Sequence, residues 1–241
     1  VAHRVGRARV GARLVVIAVS VHTWSVVGEA ITVGVDAVSG ADGVKDVTFA
    51  DLQGQAATDS DGNTLYFNGE PLSSLITSPD NGRKPALTPE GERRRDEIRE
   101  FRSQFGPSDN PENRVLQDRC LVSFTNHGGP PMTPNYGYNS NYTIVQTADH
   151  IMIMSEMVHD ARIIRIGDGP RLPPHVRPWM GDSWGHWQGD TLVVETTNIN
   201  LQQTLAGYPP VAFAPSEAAK VTERFTRADE NTINYEFTVE D

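Results

Sequence analysis

The feature that most constrains this chain is a Gly-Asp pair, Gly189-Asp190, set between two segments of strand-like alternation, Asp182–Gln188 and Thr191–Ile199. A Gly-Asp pair makes a two-residue turn whose twist matches that of the strands it joins, so the segment reads as a β-hairpin. The pairing follows from the turn. Gln188 faces Thr191, His186 faces Val193, Trp184 faces Glu195 and Asp182 faces Thr197. Because side chains alternate along a strand, Asp182, Trp184, His186 and Glu195 fall on one face. Ser183, Gly185, Trp187, Leu192, Val194 and Thr196 fall on the other, which reads as core, with Gly185 leaving room for an indole.

Two more hairpins flank this one. Tyr142–Thr147, a turn at Ala148-Asp149 and a long, bent arm from His150 to Ile166 form the first. Val221–Arg227, a short Ala-Asp-Glu-Asn turn and Thr232–Glu240 form the other. Hairpins that follow one another without intervening helices predict a mainly β fold, an antiparallel meander closed into a barrel or sandwich. One helix precedes it, over about 89–105. Thr88 is its N-cap, Pro89 takes the first helical position, Glu90 complements the dipole, and Gly106-Pro107 ends it. Its apolar stripe is only Ile98, Phe101 and Phe105, so most of the helix is expected to face water. Its arginines are expected to pair with acids on neighbouring turns.

Residues 1–30 carry the order of a secretory leader: Arg4, Arg7, Arg9 and Arg13, then the apolar run Leu14–Val27, then Gly28-Glu29-Ala30. Residues 31–87 are loop-rich, and 88–241 hold the helix and the β domain. The chain stops at Thr238-Val239-Glu240-Asp241, inside what reads as a strand. The expectation is that C-terminal strands are missing and that 232–240 forms an open edge. The predicted location is periplasmic or secreted.

Charge narrows the partners. Lys and Arg number 21 against 31 Asp and Glu; with the four leader arginines set aside, the body carries a net charge of −14. Such a body repels phosphate backbones, which argues against nucleic acid. The apolar stretch takes in Glu29 before it is long enough to cross a bilayer, so no stable membrane span is expected. Cys120 is the single cysteine, which excludes an internal disulfide and a thiolate metal site, and it reads as a buried thiol. No metalloprotease, nucleophile-elbow, Walker or dinucleotide motif occurs, and the seven histidines lack ligand spacing. No cofactor or metal is expected.

A run of short motifs, including Asn81-Gly82-Arg83, Thr88-Pro89-Glu90-Gly91, Ile144-Val145-Gln146-Thr147 and Met157-Val158-His159-Asp160-Ala161-Arg162, leads to Gly181-Asp182-Ser183 and Trp187-Gln188-Gly189-Asp190-Thr191-Leu192-Val193-Val194-Glu195. With Glu223-Arg224-Phe225-Thr226 and Tyr235-Glu236-Phe237-Thr238, it resembles a family of uncharacterised bacterial proteins, many of them with export signals. The resemblance covers roughly residues 75–241, and the tryptophan hairpin is its most specific part. It implies export and further residues beyond Asp241, and it brings no mechanism. The chain departs from that family at Trp184 and His186, where relatives carry basic or polar residues.

Candidate chemistry comes from polar residues set in apolar strands. Glu223 lies between Val221 and Phe225 on the core face, where a carboxylate needs a cation or several donors; Arg162 and Arg165 are the expected partners. A bulge turning it outward is the alternative. In the arm 150–166, Glu156, Val158, Asp160 and Arg162 share a face, and Asp160 and Arg162 stand about 6.8 Å apart by strand rise. His159, between Met157 and Ala161 in alternation, reads as a core histidine or a catalytic one. The sequence supports two function classes and a weaker third. The first is a binding domain that holds a small organic ligand in a polar-lined barrel mouth, using Glu156, Arg162, Asp182, Trp184, His186 and Glu195. The second is an acid/base enzyme (lyase, isomerase or hydrolase) using His159 with Asp160 or Glu223. The third is a structural scaffold.

Overall fold

The computed structural model describes residues 11–23, 30–31, 33–36, 66–67, 70–71, 76–78, 86–106, 108–122, 129–132, 142–155, 159–203, 215–228 and 232–241, the strands before residue 86 by backbone alone. In chain order the elements are β1 (Gly11–Thr23), β2 (Ala30–Ile31), β3 (Val33–Asp36), β4 (Tyr66–Phe67), β5 (Glu70–Pro71), β6 (Ile76–Ser78) and α1 (Pro89–Ser103). There follow β7 (Tyr142–Gln146), β8 (His150–Ser155), β9 (Ala161–Ile166), β10 (Asp182–Gln188), β11 (Thr191–Thr197), β12 (Lys220–Arg227) and β13 (Thr232–Glu240).

The protein is mainly β. Strands β7 to β13 lie side by side in chain order as one curled, mostly antiparallel sheet, a half-barrel preceded by helix α1. The hairpin across Gly189-Asp190 has the register read from its turn, with Trp184 opposite Glu195 and Gln188 opposite Thr191. Gly189 adopts φ 60°, the left-handed conformation that such a turn requires and that glycine takes without steric cost.

Three expectations about the sheet need correction. The arm 150–166 is two strands: β8 and β9 pair antiparallel, with Ile153 opposite Arg162, and the Ser155 N–H donates to the Asp160 carbonyl at 2.9 Å. The reversal contains no glycine. His159 supplies the left-handed residue at φ 58°, a conformation histidine tolerates better than most side chains. The meander is also not wholly antiparallel. After β9 the chain crosses over through a proline-rich segment and returns parallel, so that β9 and β10 pair with Ser183 opposite Ile164. Finally, β13 is not an open edge: β1 pairs along it, from Gly11 opposite Glu240 to Ser20 opposite Thr232. The apolar run that reads as a leader is thus a strand over most of its length. At the far edge β2 pairs with β7.

Alternation sorts the half-barrel cleanly. Ile151, Ile153, Ile164, Leu192, Val194, Val221, Tyr235, Phe237 and Val239 form one apolar cluster on the concave face. The ring of Phe225 stacks at 4.8 Å from that of Tyr235, which lies 5.9 Å from Phe237. Trp187 belongs to this face by parity, yet it is 48% exposed, against the expectation of a buried indole. It stands one rung before the turn-ward end of β10, opposite the buried Leu192, and its ring reaches the rim of the core.

Helix α1 follows its sequence. The Thr88 hydroxyl accepts the Gly91 N–H at 3.1 Å. Arg93 pairs with Glu90 at 2.5 Å and also with Glu97. None of its residues is buried, and Arg94 reaches Asp241 at 3.6 Å. Cys120 is exposed rather than buried; it sits at φ 54° in a run of turns where no strand or helix carries it inward.

Candidate functional site

The concave face carries a buried polar centre around Arg162 and Glu223, as well as the buried Ser183–Thr196 hydroxyl pair at 2.8 Å. β9 and β12 are separated by β10 and β11, so at about 4.8 Å per strand a flat sheet would hold them some 14 Å apart. Curling brings their inward side chains together. Arg162 Nη2 lies 2.5 Å from Glu223 Oε2, and the two side chains are 1% and 0% exposed. The Tyr235 hydroxyl donates to Glu223 Oε1 at 2.7 Å. The Met132 N–H donates to the Tyr235 hydroxyl oxygen at 2.8 Å and to Glu223 Oε1 at 3.3 Å. Three donors therefore hold the Glu223 carboxylate, the condition for keeping a charge out of water. The alternation from Val221 to Phe225 is unbroken, so the outward bulge does not occur.

Gly129, Pro130, Pro131 and Met132 roof the centre, and all four are buried. Gly129 is required there. A Cβ at that position would stand 2.1 Å from Arg162 Nη1, and its φ of 89° disfavours any side chain. The guanidinium is only half used: Nε and Nη1 of Arg162 are buried without a hydrogen-bond partner. Burial pushes the Tyr235 phenol well above its ordinary value, and the negative charge and hydrogen bond of Glu223 push it in the same direction; Arg162 opposes them. Tyr235 is therefore a neutral donor.

The opposite face carries a second buried carboxylate. Asp182 is 1% exposed, and its Oδ2 accepts the Leu172 N–H at 2.7 Å, tying the crossover segment to the sheet. Arg165, which β9 directs to this face, forms an ion pair with Asp182 and covers the Trp184 ring at 4.4 Å. Gly169 closes the indole from another side, where a Cβ would stand 2.1 Å from Cη2. Trp184 is thus a packed cover with its indole N–H unpartnered. Farther along the face, Glu195 meets Arg171 at 3.4 Å and Lys220 at 3.8 Å. His186 is exposed, 3.1 Å from the Gln188 amide.

Of the sequence candidates, then, Arg162 and Glu223 converge with each other. Asp182, Trp184, His186 and Glu195 share a face, as their alternation indicates, but there Asp182 and Trp184 are engaged by the crossover segment and Glu195 by cations. Asp160 is buried at the turn into β9, and His159 is exposed beside it, not a core histidine. Glu156 lies outside the described residues. Sequence reading missed the Tyr235 hydroxyl and the Gly129–Met132 roof. Tyr235 alternates with Ile233 and Phe237 and so looks like pure core; Gly-Gly-Pro-Pro looks like an ordinary loop.

Among the described residues no group of three or more His, Cys, Asp or Glu is placed to hold a metal ion, and no helix is long and apolar enough to cross a membrane. An open depression of about 550 Å³ lies away from this centre, lined by Asp109, Arg114, Asp118 and Arg119 among others. Arg114 and Asp118 there stand 3.7 Å apart, and Asp109 accepts the Gly106 N–H at 2.7 Å. Compared with protein-family models, with curated proteins and with solved structures, the chain matches none.

Proposed function

We propose that the half-barrel is a binding domain for a small organic molecule, anchored at Arg162. The observation that carries this reading is the pair of unpartnered N–H donors on a guanidinium 2% exposed. A buried cationic donor without an acceptor is costly, and a ligand oxygen would supply that acceptor. An apolar row leads to it across the concave face: Trp187 opposite Leu192, Leu192 opposite Phe225, and Phe225 opposite Tyr235. Trp187, half exposed, stands at the solvent end of the row, and Phe225 and Tyr235, the latter bonded to Glu223, lie at its inner end. Such a mouth suits a molecule with a planar or apolar part and one polar terminus.

The domain acts outside the cytoplasm in this reading, on the support of the basic, apolar and small-residue order of residues 1–30; the pairing of β1 with β13 then belongs to the chain before that segment is removed. A fragment screen by ligand-observed NMR on the full chain tests the binding role. Hits are expected on the wild type and are expected to vanish in Arg162→Leu that retains its fold. Hits that survive that substitution unchanged would place the site elsewhere.

A further inference from the structure

The polar centre carries its own charge rule. Arg162 and Glu223 are 2.5 Å apart and both are buried, so the charge of this arginine is already neutralised. Tyr235 adds a donor without charge. The donors left over, Nε and Nη1 of Arg162, therefore have no net positive charge behind them. A carboxylate or phosphate placed against them would be a third ion in a dry interior, attracted by Arg162 and repelled by the Glu223 carboxylate already bound at Nη2. Little there would offset its lost hydration. The rest of the chain is acidic as well. A neutral carbonyl or hydroxyl group loses less: it gives up hydrogen bonds to water and recovers them from charged donors.

We propose that the ligand class is neutral and acceptor-bearing, an amide, ester, ketone or alcohol attached to an apolar or planar body, and that Glu223 is the residue that excludes carboxylates. The inference rests on the binding role proposed above and goes beyond it by fixing the charge of the ligand. Glu223 is a specificity-determining residue on this view: it sets which ligands the arginine accepts by cancelling the arginine's charge.

The test is a matched pair of planar probes, benzamide and benzoate, titrated into the full chain and followed by amide shifts of residues on the concave face. The wild type is expected to respond to benzamide at Met132 and on β12 and β13, and to bind benzoate at least tenfold more weakly. Glu223→Gln, checked for fold by its own amide spectrum, is expected to reverse the order, because the arginine is then an unneutralised cation. Benzoate bound by the wild type as tightly as benzamide would overturn the charge rule while leaving the binding role in place. Silence from both probes, in the wild type and in the variant, would remove the binding role and the rule together. If Glu223→Gln does not fold, the wild-type ranking decides alone: benzamide ahead by tenfold upholds the rule, and parity overturns it.

Discussion

One strand, β9, sends an arginine to each face of the sheet, and each meets a carboxylate that is almost wholly buried: Arg162 with Glu223 inside the curl, Arg165 with Asp182 outside it. As ion pairs the two look equivalent, and their surroundings make them different. Asp182 acts locally. Its partner strand is the next in the sheet, its second oxygen holds the Leu172 amide, and the Arg165 side chain keeps 32% of its exposure. Water can complete what the protein leaves undone there. Glu223 and Arg162 are 61 residues apart, join strands that are not neighbours, and are 0% and 1% exposed. The donors left over on that side have no such recourse. The difference is one of reach and charge: the outer pair ties the crossover segment to a neighbouring strand and leaves the neutral Trp184 N–H unpartnered, whereas the inner pair leaves two donors of its own guanidinium unpartnered, and the proposed binding role rests on those.

The largest expected effect breaks the inner pair. Glu223→Ala strands Arg162 as an unpaired buried cation and is expected to cost about 3–5 kcal/mol, read by urea titration. Glu223→Gln keeps an acceptor for Tyr235 and Met132 and is expected to cost less. A near-neutral Glu223→Ala would mean that Arg162 finds water on its own, and the contrast between the two faces would fail. The outer pair comes next. Asp182→Ala removes the acceptor of the Leu172 N–H but leaves Arg165 able to reach solvent, so about 1–3 kcal/mol is expected. A loss equal to that of Glu223→Ala would show that burial, rather than the surroundings of the arginine, sets the cost.

How much of this was legible in the sequence follows the range of the interactions. The helix with its Thr88 cap and the Gly189-Asp190 hairpin with its register depend on neighbours a few residues away, and those neighbours are visible in the string. The burial of Glu223 was legible too, because alternation from Val221 to Phe225 needs only one strand. The choice of Arg162 over Arg165 was not, since both lie on β9 and only the curl of the sheet decides which one meets β12. The split of 150–166 was hidden because its reversal uses His159 in a left-handed conformation where a glycine would have announced a turn. Trp187 was misread for a related reason. Parity assigned its face correctly, but parity does not say where along the strand the core ends.

Alkaline pH separates the two faces by a smaller effect. Burial raises the phenols of both Tyr142 and Tyr235. A tyrosine raised in the fold stays protonated there while the unfolded chain loses its proton near pH 10. The unfolded state then binds fewer protons, so stability falls as pH rises above 10, by up to about 1.4 kcal/mol per pH unit for each such group. Tyr235→Phe is expected to flatten part of that slope in melts between pH 9 and 11, and to lose stability at pH 7 through the missing hydrogen bond to Glu223. An unchanged slope would mean that Tyr235 titrates normally and is open to water. Substitutions around Asp182 are expected to leave the slope alone, since neither tyrosine touches that carboxylate.

The smallest effect on stability is the most informative about function. Trp187 lies on the concave face, but about half of its surface remains in water, at the turn-ward end of β10. Removing an indole from a packed core costs about 3–5 kcal/mol, whereas a surface substitution usually falls within about 0.5 kcal/mol. Trp187→Ala is therefore expected to melt within a degree or two of the wild type. The same substitution takes away the ring at the entrance to the row that runs through Leu192 and Phe225 to Tyr235. Binding of a planar neutral probe such as benzamide is expected to weaken severalfold, as for the loss of one aromatic contact. The indole of Trp184, held between Arg165 and Gly169, offers the control. Trp184→Ala is expected to destabilise the fold measurably, because it empties a packed site, and to leave probe binding intact wherever the fold survives. If instead Trp187→Ala lowers stability as much as Trp184→Ala does, the concave face extends its core to the end of β10, and the half-exposed ring is part of the fold rather than of the mouth.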